Sequence, residues 1–136
     1  MKRYLLDSNA VTSLINHREP VARRVREARM RGNRVGTCEP VVAELRFGLE
    51  LSESRDANMD RLRRGLTRLS CWPLDRKASE EYGGVAADLR RRGRPMQVID
   101  MMLAAIALTL PNCTVVTTDT DLLAIPGLDV ENWESD

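Results

Sequence analysis

Four acids in this chain could share one piece of chemistry: Asp7, Glu44, Asp100 and Asp119. Each stands where an apolar segment ends or is interrupted. Tyr4-Leu5-Leu6-Asp7-Ser8-Asn9 reads as a strand buried on both faces and stopped by an acid. An acid at a strand's carboxyl end lies where open α/β sheets bind ligands. Asp7 could also simply cap the next helix, a task open to Ser8 or Asn9 as well. Thr114-Val115-Val116-Thr117 repeats the pattern and runs into Thr118-Asp119-Thr120-Asp121, so Asp119 and Asp121 both qualify there. Asp100 is the one charge in the apolar segment from Met96 to Leu110. A lone buried carboxylate costs several kcal/mol if it stays ionised without a partner. Such a group shifts its pKa, pairs or binds metal, unless it only caps a helix start. Glu44 borders the stripe Val41, Leu45, Leu49 and can face a cleft or water.

Converging carboxylates repel. Two unit charges about 4 Å apart cost roughly 4 kcal/mol at an effective dielectric near 20. A hard divalent cation offsets this, and an all-oxygen site suits Mg2+ or Mn2+. Such an ion activates water and steadies charge on a phosphoryl oxygen, so phosphodiester hydrolysis is the natural reaction. Other catalysts are scarce. His17 is the only histidine, and neither a Gly-rich phosphate loop nor a serine on a nucleophile elbow is present.

The elements that must position these acids follow from periodicity and breakers. The pattern predicts strands at 3–6, 34–37, 70–74 and 114–117, with a short edge strand at 129–133. Helices are predicted at 8–16, 20–31, about 40–49, 57–69, 77–92 and 96–110, with Pro20 and Pro40 in first turns and Thr37 or Glu39 as a cap. Gly83-Gly84 should weaken the fifth helix, and the sixth should be buried nearly all round. Alternating strands and helices imply a three-layer α/β/α sandwich with a small, mostly parallel central sheet. The 136 residues fit a single domain, 1–136.

Composition narrows the function. Hydrophobic residues are 43% and charged residues 30%, as in a globular protein. No apolar run reaches the roughly 18 residues of a membrane span. An acid at position 7 comes too early for a signal peptide, so a cytoplasmic location is expected. Cys38, Cys71 and Cys113 are far apart and read as buried free thiols without zinc spacing. Net charge is +1, yet arginine supplies 19 of the 21 basic residues. It clusters at Arg23-Arg24, from Arg61 to Arg68, and at Arg90-Arg91-Arg92 with Arg94. These tracts are solvated helix faces or grips on phosphate, for which arginine's fork is suited. The last tract is nearest in sequence to Asp100. Aromatics are only 4%, so base stacking cannot be the main grip on a nucleic acid.

With these motifs in hand, the sequence resembles the PIN-domain ribonucleases, and among them the VapC-type toxins of bacterial toxin–antitoxin pairs. The resemblance rests on Leu5-Leu6-Asp7-Ser8-Asn9, Val42-Ala43-Glu44-Leu45-Arg46-Phe47-Gly48, Asp100-Met101-Met102-Leu103-Ala104-Ala105 and Val116-Thr117-Thr118-Asp119-Thr120-Asp121. The tail, Ile125-Pro126-Gly127-Leu128 and Val130-Glu131-Asn132-Trp133, fits as well. The resemblance implies an acidic site of Asp7, Glu44, Asp100 and Asp119. It also implies dependence on Mg2+ or Mn2+, cleavage of transfer RNA or other RNA, a cognate antitoxin and a homodimer. Ser8 stands where the family often has Thr, and Thr118 where it often has Asn. Asp119, nearer the strand end than Asp121, is the expected fourth acid. Ser8, Asn9, Thr118 and Asp121 are expected to support the ligands.

Two other readings compete. A phosphatase or phosphorelay receiver also uses an acid after the first strand. Both need a late lysine, however, and this chain has only Lys2 and Lys77. The other is a PIN-like domain that binds RNA or protein without cutting.

Overall fold

In the computed structural model, which describes residues 1–135, five strands form one entirely parallel sheet in the order β3-β2-β1-β4-β5. The strands are β1 (Arg3–Leu6), β2 (Arg34–Cys38), β3 (Ser70–Trp72), β4 (Cys113–Val116) and β5 (Asp129–Glu131). From central β1 the chain steps outward through β2 to β3, then crosses back to β4 and β5. That reversal beside β1 is the switch point at which open parallel sheets form a crevice. The carboxyl ends of β1 and β4 flank it, paired in register from Arg3 with Cys113 to Leu6 with Val116.

The helices are α1 (Ser8–Ile15), α2 (Val21–Met30), α3 (Glu39–Glu50), α4 (Arg55–Leu66), α5 (Arg76–Arg91) and α6 (Val98–Thr109). A 3-10 turn, Thr120–Ala124, follows β4. α1 packs on α2, α3 and α4, and α6 packs on α3 and α5. Leu5, Leu6, Val115 and Val116 are fully buried, as parallel strands covered on both faces require. They join Val11, Val25, Val41, Leu89, Leu103 and Ile106 in one apolar core.

Local expectations fail in instructive places. The α3 stripe is buried only at Val41; Leu45 and Leu49 are half-exposed because the helix leaves the core. α6 is buried from Leu103 to Ala107, but its first turn is open and Val98 is 50% exposed. Neither Thr37 nor Glu39 caps α3: Cys38 holds that position without a side-chain bond, and the Thr37 hydroxyl donates to the Leu6 carbonyl at 2.8 Å. α5 runs unbroken through Gly83-Gly84, carried by Ala78, Val85 and Leu89 on its buried side. Leu69 is buried beyond the end of α4 rather than within it. Cys38 and Cys113 are buried, whereas Cys71 on edge strand β3 is exposed and donates its thiol to Glu39.

Candidate active site

Asp7 follows β1 directly and caps α1. One carboxylate oxygen accepts from the Ala10 N–H at 2.9 Å. The other accepts from the Thr117 hydroxyl at 2.6 Å. Capping and site membership, posed as alternatives by the sequence, thus coexist in one residue. The Thr117 oxygen also accepts from the Asp119 N–H at 3.0 Å, so one buried hydroxyl ties the ends of β1 and β4 together. Asp119 caps the 3-10 turn by accepting from the Asp121 N–H at 2.9 Å. From the helical side, Glu44 on α3 accepts a short hydrogen bond from the Ser8 hydroxyl.

Asp100 occupies the first turn of α6, half-buried. Its pKa is pushed up to about 6, first by burial and then by the charges of Asp119, Glu44, Asp7 and Asp121. Those causes locate the residue: acids from two strand ends and from α3 all act on it. Burial also raises the Asp7 pKa, helped by Glu134 and Asp119, against the lowering effect of its bonds from Thr117 and Ala10.

The fold therefore brings Asp7, Glu44 and Asp119 near enough for their charges to act on Asp100, with Ser8 bonded to Glu44 and Asp121 to Asp119. Asp121 is exposed, whereas Asp119 is half-buried. Asn9 and Thr118 are exposed on the lip of a small recess next to Asp7. Thr117, not Thr118, supplies the bridging hydroxyl. Successive strand residues face opposite sides, and two adjacent threonines conceal which one turns inward. Glu134 also acts on Asp7 and accepts from the Ser13 hydroxyl at 2.9 Å. A tail glutamate carries no local signal of such placement. In the tract Arg90–Arg94, Arg92 is committed to Asp88 at 2.8 Å and to the Ala124 carbonyl at 2.7 Å. Arg90, Arg91 and Arg94 are exposed.

Among the described residues, no three acidic, histidine or cysteine side chains stand close enough together to enclose an ion. In type and charge, however, the site fits a hard divalent cation. Its donors are all oxygens, and their mutual repulsion, visible at Asp100, is what such an ion relieves.

Comparison with known proteins identifies the family. The PIN domain family matches residues 4–128. The chain belongs to the PIN-domain family. Ribonuclease VapC2 of Rickettsia felis is 28% identical over 132 residues, covering 96% of this chain and 98% of its own. The tRNA(fMet)-specific endonuclease VapC of Shigella flexneri is 28% identical over 135 residues, 98% of this chain and 99% of its own. Among solved structures, the VapBC2 complex of Rickettsia felis bound to a promoter DNA fragment contains a similar chain. Its TM-score is 0.89 at 27% identity, with 96% of this chain and 98% of that one covered. DNA-bound VapBC of Salmonella typhimurium gives 0.87 at 27% identity, with coverage of 98% and 99%. This PIN domain contains no helix, among its described residues, long and apolar enough to cross a membrane.

Proposed function

We propose that this PIN-domain chain is an endoribonuclease that depends on Mg2+ or Mn2+ and acts in the cytoplasm as the toxin of a toxin–antitoxin pair. The observation that carries the reading is the meeting of two strand ends, where the Thr117 hydroxyl links the Asp7 carboxylate to the Asp119 backbone. Asp7, Asp100, Asp119 and Glu44 would hold the cation, which when bound lowers the pKa of water and stabilises charge on phosphate oxygen. The chain's own groups prepare the site for it. Ser8 orients Glu44, and Thr117 fixes Asp7 against the Asp119 backbone. The Asp100 carboxyl, pushed up to about 6 by burial and by its acidic neighbours, must give up its proton to hold the ion, so cation binding should tighten as pH rises. The substrate class is transfer RNA or another cellular RNA, supported by the specificity named for the Shigella relative. A cognate antitoxin is supported by the complexes in which similar chains are found. A homodimer has support in the exposed Phe47 and Leu51 at α3.

The test is cleavage of purified transfer RNA by the purified chain with Mn2+, beside Asp100→Ala and Asp7→Ala. Cleavage should fall by about 100-fold or more in both variants while RNA binding persists. Full activity in either variant would end the metal mechanism. The second reading is a domain that binds RNA or protein without cutting. Binding without cleavage by the unaltered chain, at saturating Mn2+, would establish that one instead.

A further inference from the structure

A wide groove of about 680 Å3 lies away from the acids, between the end of α1, the flank of α2 and the flank of α4. Arg26, Arg29, Arg61, Arg64 and Arg68 line it, together with His17, and no carboxylate among the described residues does. Arg26 is paired with Glu19 at 3.2 Å. Arg29, Arg61, Arg64 and Arg68 form no ion pair among the described residues. Arg29 donates a short hydrogen bond to the Arg68 carbonyl. Its pKa is lowered by burial and by the charge of Arg68. The protein therefore holds Arg29 and Arg68 together with no carboxylate paired to either among the described residues, on a chain whose net charge is only +1.

The groove adjoins a second recess at the end of α1. This smaller apolar recess, of about 220 Å3, shares Ile15, Asn16 and Arg61 with the groove and reaches Thr12 and Leu45. Leu45 is the neighbour of Glu44, and the Thr12 hydroxyl donates to the Ser8 carbonyl at 3.0 Å. Gly65 keeps α4 close to α1, because a Cβ there would lie 2.5 Å from the Ile15 side chain.

We propose that this groove binds backbone phosphates of the RNA substrate, at a distance from the bond that is cut. The inference rests on the ribonuclease reading above. A cluster of carboxylates repels a polyanion, so RNA must be held by charge elsewhere on the molecule. With few aromatic residues, stacking cannot take over that role. Guanidinium forks match phosphate oxygens in geometry as well as sign. A substrate long enough to reach both places gains affinity from the groove. An oligonucleotide that spans only the acidic crevice gains none.

The experiment compares the unaltered chain with the double variants R64Q/R68Q and R64K/R68K, since both side chains are exposed. Binding of full-length transfer RNA is measured in chelator across a salt series, and cleavage of transfer RNA and of a short oligonucleotide in Mn2+. In R64Q/R68Q the Kd for transfer RNA should rise about tenfold, and the salt slope should fall by between one and two. Oligonucleotide cleavage should not change, and R64K/R68K should recover most of the binding. An unchanged Kd and salt slope would overturn the proposal, as would equal losses on both substrates. So would lost binding of polyglutamate with RNA binding intact, which would mark an acidic-peptide site. If the unaltered chain cuts RNA while the variants bind normally, only the groove fails. If it neither binds nor cuts, the ribonuclease reading fails first.

Discussion

Thr117 carries more of the site than its neutral hydroxyl suggests. It donates to Asp7 and accepts from the Asp119 backbone, so Thr117→Val removes both links with little change of volume. Losing a supporting bond of this kind typically costs about 10- to 100-fold in metal affinity or activity. The Asp7 pKa should also rise, because the Thr117 bond is the largest influence now lowering it. A pH–rate profile should therefore show the acid limb moved upward in Thr117→Val; an unmoved limb would reduce Thr117 to a packing residue. Asp100 sets a second dependence. Its folded pKa of about 6 lies above the ordinary aspartate value of 3.8, so its ionisation favours the unfolded chain. In chelator, its contribution to stability is complete below about pH 4 and lost as pH rises through 6. Asp7, also raised, has the same sign.

At the scale of elements, the crevice depends on close packing behind it. β2 approaches β3 at Gly36, where a Cβ would lie 2.9 Å from both the Ser70 Cβ and the Trp72 ring. Gly36→Ala should destabilise the protein by about 1–3 kcal/mol, the usual cost of overpacking. A melt within experimental error of the parent would show that β3 can give way. α6 holds Asp100 at its open end by burying Leu103 and Ile106 beneath it. Leu103→Ala should cost about 2–5 kcal/mol in a denaturant titration. The two ends of this helix have different tasks, so its apolar sequence does not make it buried throughout. The same division explains the α3 stripe: Val41 anchors the helix, while Leu45 and Leu49 face the recess beside Glu44.

Across the whole molecule, two clusters of like charge stand apart. Acids gather at the switch point of the sheet, and arginines line a groove along α2 and α4, of which Arg26 alone has an ion pair among the described residues. A near-neutral total hides both. A divalent cation should raise the melting temperature by binding the folded chain alone. The gain should be larger at pH 7 than at pH 5, because the repulsion it relieves grows as Asp100 ionises. Melts with Mn2+ and with chelator at the two pH values test this, and equal gains would mean that the ion binds elsewhere.

Much of this was legible in the chain itself. Strand runs such as Tyr4-Leu5-Leu6 and Thr114-Val115-Val116, the Pro and Gly breakers, and four acids at the margins of apolar segments are local signals. Backbone preference and hydrophobic period are set within a few residues, so they show in one dimension. Tertiary structure alone decided that Thr117 rather than Thr118 turns inward, that Glu134 comes back to Asp7, and that Cys71 faces solvent. It also decided that Arg29 and Arg68, 39 positions apart, share one wall. Such facts depend on strand order and on which helix crosses which, and a charge's field is set by distance through space rather than along the chain.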